Sequence, residues 1–571
     1  MSVPLLAPPP PRPATSHADI DRSLATLTER APVWAGLSLN DRIDYLRSLL
    51  HGAYRAAPGL VADACAAKGL VGGQAGDEWG ATVVSMMRTM RILLDTLEGI
   101  RREGRVPLSR SAVRVRPDGQ VTVRVLPVDV YDRILYPGVM GDVWVDPAVT
   151  RADLDANLGG FYTKGVTPPA AVSLVLGAGN VAAITLLDVL HKLFVDGSTV
   201  LLKHSRVAEY LAPHFDAAFA DLISAGFVRT VYGGRADNGD YLTRHAAVQG
   251  IHLTGSGASY DAVVWGKDAA ARKASGTPVI DKPVTCELGN VSPVIIVPGR
   301  WSERSLRLHA ENVATQIGHN SGYNCNATRM LVMAEGWPQR EAFLDHLRRV
   351  LHSLPLRPAY YPGAEEAYER HVAAEKQVEV FGRREPGMLP PTLLMDLDPD
   401  GDHLIFREEP WCPLAGVTNL PGDTAAEFLA RAVPFCNERL FGTLTATVLA
   451  DGATSRALGP AWDAALAGLR YGTVAVNIWS AVGFAFGSST WGAFPGHSPA
   501  DIGSGMGFVH NARLVDRPQK TVVRSPFTPA FKPPWFLTHR LGDRVLAGAA
   551  ALEVDRHWWR LPRLGALALR G

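Results

Sequence analysis

Cysteine, net charge and long apolar runs are all scarce in this sequence. Only 5 cysteines occur among 571 residues, and their spacing resembles no metal site, so no metal is expected. We expect reduced thiols, as in a cytoplasmic protein. The formal net charge of +1 gives no general reason to expect a nucleic-acid partner. No apolar stretch approaches the ~18 residues of a membrane span.

The first part of the chain is proline-rich and then helical. Residues 1–16 contain the run Pro8–Pro13 and are predicted to form a disordered tail. Apolar residues at helical spacing predict helices from 17 to about 103, with a break at Ala31–Trp34. Alternating valines on either side of Pro117-Asp118-Gly119 then predict a β-hairpin over about 112–126. Residues 127–170 show no clear pattern and are treated as an insertion.

From Val172 onward the pattern changes to alternating strands and helices. A buried strand at Val172–Leu176 precedes a turn, a helix to about Phe194 and a second strand at Thr199–Leu202. A similar unit begins with a strand at Ile251–Leu253. A further α/β layer is expected over about 290–480. This alternation predicts the α/β fold class, with helices covering a parallel sheet.

Two polar segments suggest a catalytic nucleophile and its base. Cys325 ends the segment N-S-G-Y-N-C, and Glu287 lies 38 residues upstream in E-L-G-N-V-S-P. A lone cysteine is usually a small buried apolar residue, and a lone glutamate is usually solvated. Together they fit a thiolate that attacks a carbonyl and a carboxylate that activates water. Because neighbouring strand residues point to opposite faces, Cys286 is expected in the core.

These two segments, in this order, resemble those of the aldehyde dehydrogenase superfamily. The family patterns are N-x-G-Q-x-C and E-L-G-G-x-S-P, from which Tyr323 and Asn290 depart. The resemblance implies NAD(P)-dependent oxidation of a small-molecule aldehyde to an acid, through a thiohemiacetal and a thioester on Cys325. It also implies a Rossmann-type cofactor domain, an α/β catalytic domain, a small oligomerisation hairpin and a homodimer or homotetramer.

The same resemblance divides the chain into domains. We expect a cofactor-binding domain over 17–300 and a catalytic domain over 301–500. Residues 501–526 would return to the oligomerisation and cofactor region. Residues 527–571, rich in proline, tryptophan and arginine, would form a C-terminal extension.

The predicted cofactor site departs from the usual Rossmann pattern. Gly177-x-Gly179-x-x-Ala182 fits the dinucleotide fingerprint only weakly. The next strand ends in Lys203 rather than in an acidic residue. This suits the family, in which a lysine at that position holds the adenosine ribose. The family also carries an oxyanion-donating asparagine 23 residues before the lysine, a position that Asn180 occupies here. By resemblance, Asn180 and the main-chain N–H of Cys325 stabilise the oxyanion.

Three further segments add residues to the cofactor site by resemblance. L-T-G-S is similar to the family's F-T-G-S and places Gly255 and Ser256 at a helix N-terminus that can bind pyrophosphate. E-E-P-W-C-P is similar to E-E-x-F-G-P, which assigns Glu409 to the nicotinamide ribose and Trp411 to packing beside the cofactor. Arg206 could pair with a 2′-phosphate. The expected cofactor is NAD or NADP, with a slight preference for NADP.

Other readings of the sequence stay open. An acyl-CoA reductase or a CoA-acylating aldehyde dehydrogenase would keep Cys325 but release the acyl group to CoA. Glu287 argues against this reading, whereas Gly177-Ala178-Gly179, in place of the family's usual proline-tryptophan, favours it. A catalytically silent scaffold with the same fold is a further alternative. The C-terminal extension could touch a membrane surface, but the absence of a clean amphipathic stripe favours packing on the protein.

Overall fold

The computed structural model describes residues 9–571 and begins with a helical region. Its helices are His17–Ala35, Leu39–Lys68, Gly76–Glu78, a π-helical turn Trp79–Val84, and Ser85–Glu103. The break predicted at Ala31–Trp34 is wrong, because the first helix continues to Ala35. A proline near a helix end removes only one donor. The break lies instead at Gly36–Ser38, where the Ser38 hydroxyl accepts from the Asp41 main chain at 3.2 Å.

The segment before the first helix is docked on the protein. The main-chain N–H of Arg12 donates to Glu209 Oε2 at 3.0 Å, and that of Thr15 donates to the Tyr232 carbonyl at 3.1 Å. The disordered tail predicted for residues 1–16 is therefore wrong for residues 9–16, since backbone hydrogen bonds hold this stretch in place. Residues 1–8 of that prediction lie outside the described residues.

A six-stranded sheet forms the smaller of two α/β layers. Its order is Gly505–Met506, Val284–Glu287, Gly250–Thr254, Val172–Leu176, Thr199–Lys203 and Val228–Val231. The last five strands run parallel, while Gly505–Met506 is antiparallel to its neighbour. The predicted strands and the helix Ala182–Phe194 are present. The α/β fold class predicted from the sequence is confirmed.

An eleven-stranded sheet forms the second layer. In order, its strands are Val113–Val115, Val121–Leu126, Met140–Val145, Pro518–Arg524, Thr473–Val476, Thr445–Leu449, Ser292–Ile296, Thr328–Ala334, Leu414–Leu420, Thr392–Leu397 and Val378–Val380. The longest helices packed with this layer are Glu303–Gly318, Arg340–Ser353, Ala364–Ala373 and Ala425–Glu438. Strand 292–296 belongs to this sheet, whereas the sequence analysis placed the boundary between the cofactor-binding and catalytic domains at residue 300. The division falls between Glu287 and Ser292.

The predicted hairpin pairs Val113 with Val123 in antiparallel register. A third strand, Met140–Val145, comes from the insertion that the sequence left unassigned, and Pro518–Arg524 pairs with it. The alternating pattern revealed the hairpin. It did not reveal strand 140–145, because that strand is almost wholly buried and lacks a polar face.

The C-terminal extension contains two helices, Gly542–Val554 and Arg560–Ala568. The first packs against the N-terminal helical region. It is fastened there by Glu553, which lies between Arg88 and Arg91 at 2.9 and 2.5 Å. Among residues 9–571, none of the helices combines the length and apolarity that a bilayer span requires.

Candidate active site

All the residues predicted for the site line one cavity. Its volume is about 880 Å³ and it lies at the strand ends of the smaller sheet. The lining includes Asn180, Lys203, Arg206, Gly255, Ser256, Glu287, Cys325, Glu409 and Trp411. A second cavity of about 270 Å³ meets the first at Asn180 and Cys325. Both cavities therefore reach Cys325.

The loop before Cys325 has an unusual backbone. Asn320, Ser321 and Gly322 are consecutive residues with positive φ, at 53°, 55° and 79°. Such a run is costly for residues other than glycine and persists only where the surroundings hold it. A Cβ on Gly322 would lie 2.6 Å from the Cys412 main chain, so glycine is required there by space as well. The loop turns sharply and presents Cys325 to both cavities.

A buried arginine ties this loop to the Glu409 segment. Arg329 donates to the Gly322 carbonyl at 2.6 Å and to the Cys412 carbonyl at 2.5 Å. The same guanidinium contacts Glu409 at 3.4 Å. Arg329 has no exposed surface. Because its rigid guanidinium bonds both segments at once, Arg329 fixes the distance between the loop before Cys325 and Glu409.

Asn180 contacts the loop before Cys325 and the N-terminal helical region. Its Nδ2 donates to the Tyr323 carbonyl at 3.0 Å. An amide nitrogen carries two hydrogens, so the second is available to a ligand. Lys68 donates to the Asn180 carbonyl at 2.8 Å, to Asn320 at 3.1 Å and to Glu78 at 2.6 Å. This buried lysine is a direct link between Asn180 and the loop.

Glu287 ends its strand as a buried carboxyl group. Its Oε2 accepts from the indole N–H of Trp491 at 2.7 Å. Within residues 9–571, its Oε1 has no hydrogen-bonding partner in the protein. Burial raises the pKa of Glu287 to about 7, and the negative charge of Asp188 adds to this rise. A carboxyl group that titrates near neutral pH can act as a general base at neutral pH.

Cys325 lies in the electrostatic field of the same carboxylate. Burial and then the charge of Glu287 raise the pKa of Cys325 well above its ordinary value. The resting pair is thus a neutral thiol beside a carboxyl group that can take its proton. Cys286, which precedes Glu287, is 2% exposed and packs in the core under the smaller sheet. Burial also raises the pKa of Cys286 to about 12, and, unlike Cys325, Cys286 lines neither cavity.

The residues that could hold a dinucleotide surround the larger cavity. Ser256 accepts from the Ser259 main chain at 3.2 Å and caps the helix Gly257–Val264. This leaves helix N–H groups facing the cavity. Lys203 is half-buried and donates to the His204 carbonyl at 3.3 Å. A Cβ on Gly179 would lie 2.7 Å from Ser205 Oγ, so the chain passes close to its neighbours there.

Glu409 is positioned by two donors. Its Oε2 accepts from the Asn290 main chain at 3.2 Å, and Arg329 approaches its Oε1. Burial nevertheless raises the pKa of Glu409 to about 7. Trp411, with φ of 46°, lies edge-on to Tyr361 with ring centroids 5.4 Å apart. Glu409 and Trp411 thus line the same cavity as the helix that Ser256 caps.

Arg206 has a partner that the sequence reading did not include. Its Nη2 lies 2.7 Å from Asp237 Oδ2, and both side chains are about two-fifths exposed, at 41% and 36%. The guanidinium faces the larger cavity, but a carboxylate already neutralises it. An incoming 2′-phosphate would have to compete with Asp237.

Three site residues escaped the sequence reading. Trp491 belongs to W-G-A-F-P-G, which only loosely resembles a family segment, so its contact with Glu287 could not be inferred. Lys68 and Arg329 are charged residues in apolar surroundings, a pattern that indicates a buried polar contact but no particular partner. Asn290 was noted only as a departure from the family. Its amide donates to the Thr445 carbonyl at 3.0 Å and joins neighbouring strands of the larger sheet.

Comparison with solved structures supports this architecture. The NADP-dependent glyceraldehyde-3-phosphate dehydrogenase of Bacillus halodurans in complex with NADP is 16% identical, with a TM-score of 0.57 over 90% of this chain and 92% of that chain. Aldehyde dehydrogenase C of Pseudomonas syringae, in complex with NAD+ and octanal, is 16% identical, with a TM-score of 0.61 over 90% of both chains. At this identity the likeness establishes the fold.

Curated relatives align with part of the chain. A 1-pyrroline-5-carboxylate dehydrogenase of Halalkalibacterium halodurans is 24% identical over 44% of this chain and 49% of its own length. Aminoacetaldehyde dehydrogenase of Pseudomonas aeruginosa is 28% identical over 38% of this chain and 43% of its own length. The match thus spans less than half of each relative.

The sequence profile of the aldehyde dehydrogenase family matches residues 162–487, which is more than half of the chain. This range contains the strands of the smaller sheet that bear Lys203 and Glu287, and the loop that bears Cys325. On this match and on the shared fold, the chain belongs to the aldehyde dehydrogenase family.

Proposed function

We propose that the protein oxidises an aldehyde to a carboxylic acid with NAD or NADP as hydride acceptor. The observation that carries the proposal is the convergence of Cys325, Glu287 and Asn180 where the larger cavity meets the smaller one. Because a nucleophile, a base and an amide donor meet there, the reacting carbonyl can be bound and attacked at one place.

The larger cavity suits a dinucleotide. Helix N–H groups beyond Ser256 would face the pyrophosphate, Lys203 the adenosine ribose and Glu409 the nicotinamide ribose. The close approach at Gly179 leaves main chain rather than side chain along this wall. When bound, the cofactor supplies the acceptor for the hydride that leaves the substrate carbon.

The protein's own groups carry out the other steps. Glu287 takes the proton of the Cys325 thiol, and the sulfur bonds to the carbonyl carbon to give a thiohemiacetal. The free N–H of Asn180 and the main-chain N–H of Cys325 stabilise the oxyanion. Loss of a hydride from that carbon leaves a thioester on Cys325.

Hydrolysis then releases the product. Glu287 passes the thiol proton to solvent and then takes a proton from water, the hydroxide oxygen bonds to the acyl carbon, and the carbon–sulfur bond breaks as the sulfur takes that proton back. The free Oε1 of Glu287 is the atom that supports this role. Overall, one aldehyde, one water and one oxidised cofactor become one acid, one reduced cofactor and one released proton, with two electrons and one proton leaving the substrate carbon as a hydride.

We also propose that the protein works in the cytoplasm as a homodimer or homotetramer. The absence of disulfides among its cysteines, which are all free, supports a reducing compartment. The outer strand Val113–Val115 forms the edge of the larger sheet, and an exposed edge favours association. Size-exclusion chromatography with light scattering tests the oligomer, and a purely monomeric result would contradict it.

The activity is tested by following reduced cofactor over a panel of aldehydes, with NAD and NADP, and with and without CoA. We expect reduced cofactor without CoA, and a free acid as product. Turnover that depends on CoA would favour the CoA-acylating alternative. Failure to reduce either cofactor with any aldehyde, by protein whose fold is intact, would favour the scaffold.

A further inference from the structure

The smaller cavity runs from Cys325 to the surface and is walled largely by apolar side chains. The C-terminal extension supplies one side of it, including Phe536, Leu546, Ala549 and Leu564. Polar side chains gather at the inner end, where Asn180, Asn324 and Asn326 surround Cys325. A ligand that enters this tunnel therefore meets mainly apolar walls, with His309, Asn312, Asn477 and Lys532 as further polar lining residues.

The tunnel has a recognisable mouth. Ile134 and Phe531 both line it, and they are 46% and 39% exposed. At about 30 Å³ for each water-sized group, 270 Å³ holds on the order of nine such groups. This is room for an alkyl or arylalkyl chain in addition to the reacting carbonyl.

The wall that the extension provides is fixed in place. Glu553 is 5% exposed and bonds Arg88 and Arg91, while Arg88 also bonds Asp132 at 2.7 Å. Burial would raise the pKa of Glu553, but these arginines outweigh it and hold the pKa at about 2. Loss of one partner from a buried ion pair is strongly destabilising, because the other charge stays buried without compensation. The extension is thus a constant part of the tunnel.

Resting on the function proposed above, we propose that the substrate is an aldehyde with an apolar alkyl or arylalkyl tail. The tail lies in the tunnel, and the C-terminal extension sets how long it can be. Burial of each methylene contributes about 0.8 kcal/mol, which corresponds to about fourfold in kcat/KM until the tunnel is full.

Gly565 offers a direct way to shorten the tunnel. It lines the cavity, and a Cβ added there meets nothing within 4 Å, so a larger side chain fits without disturbing the fold. Ala566 is exposed, lies next in the same helix and does not line the tunnel. We would measure kcat/KM for straight-chain aldehydes from acetaldehyde to dodecanal in wild type, Gly565→Phe and Ala566→Phe.

We expect wild type and Ala566→Phe to favour the longer aldehydes. In Gly565→Phe, the ratio of kcat/KM for dodecanal to kcat/KM for acetaldehyde should fall about tenfold or more. Equal kcat/KM for all chain lengths, or no change in Gly565→Phe, would overturn the proposal while leaving aldehyde oxidation intact. If no aldehyde is oxidised, calorimetric binding of dodecanoic acid still tests the tunnel. Binding that Gly565→Phe weakens supports the tunnel, and no binding overturns it.

Discussion

The indole N–H of Trp491 donates a hydrogen bond of 2.7 Å to Glu287 Oε2. Trp491 has no exposed surface, and Glu287 is 2% exposed. The contact fixes the carboxyl group and leaves Oε1 free of protein partners within residues 9–571. It also lowers the pKa of Glu287 against the larger effect of burial, which raises it to about 7. Trp491 therefore both positions the Glu287 carboxyl group and lowers its pKa.

We expect the wild-type kcat/KM to rise with pH through about 7 and to level off above it. The pKa of Glu287 is raised, so the group is mainly protonated and inactive below 7 and ionised above. Trp491→Phe removes a hydrogen-bond donor to the ionised form of Glu287, worth about 1.5–3 kcal/mol. The pH at which kcat/KM rises should therefore increase by about one to two pH units. Trp301→Phe, at a buried tryptophan of the catalytic core, is the control. If kcat/KM rises at the same pH in Trp491→Phe as in wild type, Trp491 does not lower the pKa of Glu287.

Glu287→Gln should separate the two halves of the reaction. The amide cannot accept a proton from water, so the thioester should persist and steady turnover should fall about a hundredfold or more. A first burst of reduced cofactor should survive but form more slowly, because the amide cannot take the thiol proton either and water has to take it, and rapid-quench kinetics measures both phases. Loss of the burst together with steady turnover would assign Glu287 to the first step only. Restoration of full turnover by CoA alone would point to CoA-dependent release.

Cys325→Ala should lower turnover about a thousandfold or more and leave the fold intact, since it removes the nucleophile. Cys286→Ala is the matched control at a buried thiol of high pKa and should be nearly as active as wild type. Mass spectrometry after iodoacetamide treatment gives an independent measurement. Inactivation that follows modification of Cys286 would refute the assignment.

The predicted preference for NADP depends on the pair of Arg206 and Asp237. Because Asp237 competes for the guanidinium, Asp237→Ala should free Arg206 and raise kcat/KM for NADP about tenfold with little change for NAD. Arg206→Glu should do the opposite. Steady-state kinetics with both cofactors measures these ratios. A wild type that strongly favours NAD, with ratios unchanged in both variants, would place Arg206 outside phosphate recognition.

Lys68 is expected to position Asn180. Lys68→Met alone would leave the buried Glu78 without its ion-pair partner and lower the free energy of unfolding by about 3–5 kcal/mol. The double variant Lys68→Met/Glu78→Gln is therefore the better test. Its kcat should fall about tenfold or more, because the Asn180 carbonyl loses a charged donor at 2.8 Å. Cofactor affinity, measured by fluorescence titration, should be unchanged. A loss of cofactor affinity equal to the loss of kcat would indicate general unfolding of the site instead.

Much of the site was readable in the sequence because short segments encode it. Resemblance to family segments indicated Cys325, Glu287 and Asn180, and all three line the larger cavity. The strands and helices after Val172 followed equally from their periodicity. Local pattern suffices where neighbouring residues in the chain form the feature.

Other features depended on residues far apart in the chain. Lys68 meets Asn180 across 112 positions, and Trp491 meets Glu287 across 204. No local pattern specifies such a pair, since the sequence shows only that a polar group must find some partner when buried. The tunnel is the same kind of feature, because its walls come from both ends of the chain. The sequence by itself indicated, through its resemblance to the family, the residues to which we assign the chemistry proposed at Cys325. Only the tertiary structure decided which distant side chains hold that chemistry and what shape of substrate reaches it.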